Sequence, residues 1–377
     1  MRFLVIGNPS NRRLQGFAAA ARAEGHSSDL VSWLDVLEGG AWAARARGAI
    51  VKFDSPGEDF ELERALLGLG AGVEEREHRQ ARYLDLAEAS ALPYDHGRIR
   101  APRQWYRGFR APLERCERDL GSAEPLLLLN HPPEIALMFD KARSHATLLA
   151  AGVAVPAATG PVASYHELRA ELERLGWGRV FLKLKSGSSA SGVVALEVRQ
   201  GRVQAQTSAE LVREGGQARL YNSLRIRRYR DERDVAQVVD LLAAEGVHVE
   251  RWIPKASLAG QACDLRVVVI GGRARQVVVR QSRSPMTNLH LGNRRGDLAA
   301  FRERLGLEGW GSLEALAQAA CAPFAGLYAG VDLLVNSTWT RQAVLEINAF
   351  GDLLPGVEHA GEGCYLAEVR EAVRRAT

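Results

Sequence analysis

The chain has 377 residues, 46% of them hydrophobic and 25% charged, which is long enough for roughly two or three domains with a large core. Its 49 Lys and Arg against 45 Asp and Glu leave a net charge of +4, which suits anionic ligands but is small for a dedicated nucleic-acid binder. No apolar run reaches membrane-span length, and residues 1–9 are too short for a signal peptide. The four cysteines (Cys116, Cys263, Cys321, Cys364) show neither metal spacing nor a disulfide framework, so a cytoplasmic setting is expected.

Residues 2–6 are a short apolar β run ending at Gly7, Asn8 and Pro9. An amphipathic stretch at 14–23 and a second apolar run at 30–33 complete a β-α-β opening, as in an open α/β domain. Gly7 lacks the further glycines of a dinucleotide fingerprint and reads as structural. Residues 54–118 are polar, with helical patches at 60–69 and 74–87. Within them, the cluster Trp105, Tyr106, Arg107, Gly108, Phe109, Arg110 could hold an anion through guanidinium and stacking contacts. Such clusters more often pack a domain surface. A strand at 125–129 stops at Pro132 and Pro133, and one helix is expected over 135–150, closing at Gly152.

Residues 180–194 carry chemistry. A β run holding Lys183 enters a loop of small residues (Ser186, Gly187, Ser188, Ser189, Ala190, Ser191, Gly192), and a second β run follows. Such a backbone lets N–H groups close on an anion, and the lysine adds a point charge. Plain hairpins turn the same way. Strand alternation puts Lys183 and Lys185 on one face, so either could be the phosphate lysine. Residues 200–232 form a basic insert with Arg225, Arg227, Arg228 and Arg230, read as a solvated edge charged against aggregation, with RNA or DNA binding as the minor alternative. A helix at 235–244 ends at Gly246. A short strand then carries Glu250, Arg251, Trp252 and Ile253, and strands with Arg266 and Arg280 follow. Asn288 and His290 sit on a polar loop, and helices are expected at 298–305 and 313–324.

The last hairpin is the sharpest local signal. Apolar runs at 328–335 and 342–347 flank a polar turn. Glu346 and Asn348 are two apart and share a strand face. Pairing Asn336 with Gln342 would set Asp332 directly opposite Glu346. Two carboxylates and a carboxamide on one face suit a hard cation such as Mg²⁺, although a solvated hairpin could carry the same residues.

Taken in order, these motifs resemble those of the ATP-grasp superfamily, and within it the ribosomal-protein glutamate ligases and their glutathione-synthetase-like relatives. The matching residues are Asp140-Lys141 before a G-V-x-V-P segment, the Lys183 strand with its loop, Glu250-Arg-Trp-Ile253 and Asp264-Leu-Arg266. They continue with Arg280, Asn288-Leu-His290, Gly330-Val-Asp332 and Leu345-Glu346-Ile-Asn348, together spanning about residues 126–356. The resemblance implies an α+β ATP-grasp fold. An open α/β domain would occupy 1–125, a lid lobe 126–246, and a lobe with the metal-binding hairpin 247–377.

It also implies an ATP-dependent carboxylate–amine ligase that forms an acylphosphate and releases ADP and phosphate. Lys141 and Lys183 (or Lys185) would hold the ATP phosphates under a lid of Gly187, Ser188, Ser189 and Gly192. The backbone of Glu250, Arg251, Trp252 and Ile253 would read the adenine edge. Asp332, Glu346 and Asn348 would hold one or two Mg²⁺ ions, with Mn²⁺ as a substitute. Arg266 and Arg280 would be catalytic, beside the transferring phosphoryl group or the substrate carboxylate, and Asn288 and His290 would line the acceptor side. The expected partners are small-molecule or peptide carboxylates and amines, with a homodimer left open and neither membrane nor nucleic acid expected. Two alternatives stand beside this: a peptide side-chain ligase or macrocyclase, and a catalytically silent ATP-binding regulator. For the first, Trp105 to Arg107 loosely echoes a W-x-R-R-like element. The sequence departs from the family at Leu184, where proline is usual, and at the lid, where Ser and Ala replace glycines. It also has Glu250-Arg251 in place of the commoner Gln-Glu.

Overall fold

The computed structural model describes residues 1–39, 41–71, 83–187 and 190–377. The helical patch expected at 74–87 lies mostly outside these residues; its end meets a short helix, Leu86–Ser90. Four parallel strands open the chain, in the spatial order Ser27–Ser32, Arg2–Gly7, Ile50–Phe53, Leu127–Leu128. Phe3, Leu4, Val5 and Ile6 are fully buried, as expected of a parallel strand covered on both faces. The strand order doubles back at Arg2–Gly7, so a crevice opens beyond the carboxyl ends of Arg2–Gly7 and Ile50–Phe53, the usual ligand position in an open α/β sheet. Leu127–Leu128, just after the boundary expected at 125, pairs with Ile50–Phe53 in this sheet.

The central sheet is antiparallel, in the order Gln217–Tyr229, Arg202–Glu214, Val194–Arg199, Arg179–Leu184, Val247–Arg251. Helices Tyr165–Leu175 and Glu232–Ala244 contribute Leu168, Leu172, Val235 and Val239 to its core. Val247–Arg251 pairs with Arg179–Leu184, with Val249 opposite Leu182, so this strand belongs to the central sheet. The boundary expected at 246 falls just before this last strand of the sheet. The basic insert is a long hairpin turning at Gly215 and Gly216, whose φ values of +55° and +76° suit glycine. Its register slips between Thr207 and Ala209, so residues 223–226 bow out and leave Leu224 71% exposed. Arg225, Arg228 and Arg230 are exposed, while Arg227 pairs with Glu210 at 2.5 Å.

The third sheet runs Arg294–Arg295, Arg273–Ser282, Gln261–Ile270, Tyr328–Val335, Gln342–Asn348. Helix Leu298–Cys321 packs against it and breaks at Gly306 (φ 76°, ψ 166°). One hydrophobic cluster holds Ile6, Phe53 and Phe109 together with Leu265, Val331 and Val344. A second joins Phe3 and Phe17 to Cys364 and Val369 of the last helix, Cys364–Ala376. The first domain therefore shares its core with the end of the chain. Trp105 belongs to this packing, stacked on Phe109 at 5.4 Å and tilted on Phe139 at 6.2 Å, which supports the packing reading of its cluster.

The helix expected over 135–150 is two helices, Pro132–Phe139 and Lys141–Ala150. Asp140 leaves helical geometry (φ −93°, ψ 101°), and its carboxylate accepts from the amides of Ala142 (3.1 Å) and Arg143 (3.0 Å), capping the second helix. That break presents Lys141 to the cleft between the lobes. All four cysteines are free, and no helix among the described residues is long and apolar enough to cross a membrane.

Candidate active site

Asp332 does stand opposite Glu346, but by a different route from the one the sequence suggests. The turn pairs Val335 with Gln342, a register that would bring Asp332 against Leu345. A bulge at Leu345 inserts one residue, and below it Asp332 meets Glu346 and Gly330 meets Asn348. The Leu345 carbonyl accepts from Lys183 Nζ at 3.3 Å. Glu346 and Asn348 line a cleft of about 650 Å³ between the central and third sheets.

Alternating charges cross the floor of this cleft. Asp264 and Arg266 lie two apart on Gln261–Ile270, with Arg280 opposite Asp264 and Asp332 opposite Arg266. Arg280 donates to Asp264 (2.8 Å) and to Asp332 (3.1 Å), and Arg266 Nε donates to the other Asp332 oxygen at 2.5 Å. Lys255 extends the row, with its ammonium 2.8 Å from both Asp264 and the Thr287 hydroxyl. Burial alone would raise the Asp332 pKa, but Arg266 and then Arg280 outweigh it and hold the carboxylate below its usual range. Burial likewise opposes the Asp264 charge, and Arg280 and Lys255 overcome it. Burial pulls the Lys255 ammonium down, and Asp264 only partly restores it. Sequence reasoning passed over Lys255 and Thr287. A lone lysine after Pro254 and a threonine in a loop carry no spacing signal, and only the fold brings both to Asp264.

The two lysines face this floor from the other side. Lys141 Nζ lies 3.1 Å from Glu346 and bonds to the Gly187 carbonyl. Lys183 Nζ lies 2.7 Å from Glu250. Burial lowers its proton affinity, but Glu250 and Glu346 more than compensate, so the ammonium sits above its ordinary range. Glu250 is buried, which alone would raise its pKa; Lys183 and the His248 ring at 3.2 Å bring it down to about 2. Lys183 lines the cleft. Lys185 falls on the turn after the strand, its amide bonded to the Gly246 carbonyl (3.0 Å) and its carbonyl accepting from the Lys141 amide (2.9 Å). Gly187, Ala190 and Ser191 also line the cleft, whereas Gly192 (φ +64°) packs behind them against Leu184 and Leu242. Ser188 and Ser189 lie outside the described residues.

Arg251 and Ile253 reach the cleft, and Trp252 packs on Phe181 (5.2 Å) under Arg179 (5.6 Å). The Arg251 and Trp252 amides already donate to the carbonyls of Ala157 (2.8 Å) and Arg179 (3.1 Å). Asn288 and His290 also line the cleft, together with Asn11, Arg12 and Glu58 from the N-terminal crevice. Burial, with Arg266 and Arg12 nearby, lowers the His290 pKa.

Among the described residues, no three His, Cys, Asp or Glu side chains are grouped as a metal site. The set here is two carboxylates and a carboxamide. Each Asp332 oxygen accepts from one arginine, Glu346 pairs with Lys141 through one oxygen, and the Asn348 amide nitrogen donates to the Gly330 carbonyl (3.4 Å). Further oxygen lone pairs remain on all three at the cleft, so this set fits a hard cation.

No protein-family model and no curated protein matches the chain. Solved structures do. D-cycloserine synthetase DcsG superposes with a TM-score of 0.58 at 16% identity, covering 100% of both chains. The ATP-grasp ligase PsnB, solved with a phosphomimetic variant of its minimal precursor, Mg and ADP, gives 0.55 at 16% identity over 100% of this chain and 98% of its own. D-alanine–D-alanine ligase from Bacillus anthracis, complexed with ATP, gives 0.53 at 12% identity over 100% and 98%. The chain therefore has the α+β ATP-grasp fold.

Proposed function

We propose that this protein is an ATP-dependent carboxylate–amine ligase acting on a small molecule or a peptide. One observation carries the reading: Lys141, Lys183, Arg266, Arg280 and Glu346 converge on a single cleft from one helix and two sheets. ATP phosphates entering there would replace Glu346 as the partner of Lys141 and draw on the Lys183 charge. Asp332, Glu346 and Asn348 would hold Mg²⁺, or Mn²⁺ in its place, which when bound neutralises phosphate charge. Arg280 and Arg266 are already fixed by Asp264 and Asp332, so their charge is pre-oriented and requires little reorganisation as charge shifts in the transition state. A substrate carboxylate oxygen would attack the γ-phosphorus, breaking its bond to the β,γ-bridging oxygen and releasing ADP. An amine would then attack the acylphosphate carbon, expel phosphate and lose a proton to give the amide. The loop around Gly187 and Ser191 would shield the acylphosphate from water.

The assay is Mg-ATP-dependent ADP release across a panel of amino acids and acidic peptides. Both substrate sizes belong in it, because DcsG is a D-cycloserine synthetase whereas PsnB was solved with a precursor peptide. ADP release that depends on an acceptor supports the ligase. ATP binding with no ADP release for any acceptor would favour the silent regulator.

A further inference from the structure

Four successive residues just beyond the Glu346–Asn348 strand are held by side chains, three of them from the first 130 residues. Asn130 donates to the Ala349 carbonyl at 3.1 Å, and Arg13 to the Phe350 carbonyl at 2.7 Å. Arg266 reaches the Gly351 carbonyl at 3.4 Å. Asp352 is fully buried, with one oxygen bonded to Arg13 and the other 3.0 Å from Lys52 Nζ. Arg13 also donates to Asp54 at 2.6 Å, and Lys52 to Glu368 of the last helix at 2.8 Å. The Lys52 ammonium lies 3.9 Å from the Tyr328 ring centre, which encloses it further.

This network touches the cleft at its two ends. Arg13 and its neighbours Asn11 and Arg12 line the crevice, and Asp54 begins the loop that carries Ser55, Gly57 and Glu58 to the same wall. Asp352 lies four residues from Asn348, and Gly351 presses so closely on Gly330 that a Cβ there would come within 2.4 Å of the Gly330 Cα. Asp352 therefore joins the acceptor-side wall to the end of the strand proposed to hold the metal.

We propose that Asp352 is a positioning residue that clasps the N-terminal crevice to the Glu346–Asn348 strand, so that nucleotide bound at the strand orders the crevice. This rests on the ATP reading above. The charge count supports a local clasp rather than a general support for folding. Two cations, Lys52 and Arg13, face three carboxylates: Asp54, Asp352 and Glu368. With Asp352 neutralised, Glu368 can ionise in its place beside Lys52, which keeps the interior balanced. The charge pairs of Asp352 with Arg13 and Lys52 are then both lost; Glu368 makes good the second, beside Lys52, but nothing replaces the first.

The experiment is hydrogen exchange of the full chain with and without Mg²⁺ and a non-hydrolysable ATP analogue. In the wild type, the analogue should protect both residues 342–348 and residues 54–59. In Asp352→Asn, protection of 342–348 should persist, while that of 54–59 should fall at least ~10-fold. Arg13→Gln cuts the same clasp from the cleft side and should read alike, which keeps the test open if Asp352→Asn folds poorly. Glu368→Gln disturbs the same buried core but leaves the clasp intact, so it should behave as wild type. A purely structural role would make it fail with the others. Wild-type behaviour in Asp352→Asn or Arg13→Gln overturns the proposal, as does loss of protection at 54–59 in Glu368→Gln. So does a wild type whose strand is protected while its crevice is not. A wild type that does not bind the analogue at all refutes the ATP reading itself, and the clasp with it.

Discussion

Replacing Glu250 by glutamine tests the electrostatics of the lysine wall most directly. Glu250 is 3% exposed, with Lys183 at 2.7 Å and His248 at 3.2 Å. Its pKa falls from 4.5 to about 2 because Lys183 and then His248 overcome the penalty of burial. At about 1.4 kcal/mol per tenfold change, that displacement corresponds to roughly 3 kcal/mol, in line with the loss expected when one partner of a buried ion pair is removed. The folded-state pKa is depressed, so this stability is fully present above about pH 4.5, where the unfolded chain also ionises. It is lost as pH falls toward 2. Urea denaturation should therefore find Glu250→Gln less stable than wild type by roughly 3 kcal/mol at pH 7, with the gap closing between pH 5 and pH 2. Mg-ATP should also stabilise the variant more than the wild type, because its phosphates supply the partner that Lys183 has lost. A gap below ~1 kcal/mol, or one that does not change with pH, would refute the reasoning.

Glu346→Gln should reduce acceptor-dependent ADP release by at least ~100-fold, with little change in melting temperature, since this side chain faces the cleft and anchors no core. Full activity in that variant would remove Glu346 from the proposed metal set. Burial, only partly offset by Lys52, raises the Glu368 carboxyl to about 8, so the folded chain keeps a proton that the unfolded chain releases near 4.5. Stability should accordingly decline as pH rises through that window, and denaturation at pH 5 to 9 should show a flatter profile for Glu368→Gln. Gly351→Ala should destabilise the protein by ~1–3 kcal/mol or more, because a Cβ would sit 2.4 Å from the Gly330 Cα; a melting curve measures it.

The residues of the cleft were more legible in the sequence than the means by which they meet. Period-two spacing places Glu346 and Asn348 on one face whatever the neighbouring strand does. The pairing with Asp332 depends on a bulge at Leu345, and no residue type there announces one. Lys183 and Lys185 could not be told apart by alternation, because alternation holds only while the strand lasts and this one stops at Leu184. The single helix expected over 135–150 fails at Asp140, a capping residue hidden inside a helical pattern. That Val247–Arg251 pairs with Arg179–Leu184 was not legible, because sequence shows a strand but not its partner. What stayed hidden altogether were Lys255, Thr287, Arg13, Lys52 and Asp352. Each is ordinary by type and gains its role from a neighbour distant along the chain.

Those distances bear on how the protein is made. Lys52 finds Asp352 after 300 residues and Glu368 after 316, and the helix that closes the core around Phe3 and Phe17 is Cys364–Ala376. Without residues 352–376 the opening sheet lacks both carboxylates that bond Lys52, and its Phe3 face is covered by the helix Arg12–Ala23 but not by Cys364–Ala376. The core around the opening sheet is thus complete only when residues 352–376 are present. A truncation near residue 350 would remove both carboxylates and the covering helix, and would leave the opening strands a hazard for aggregation.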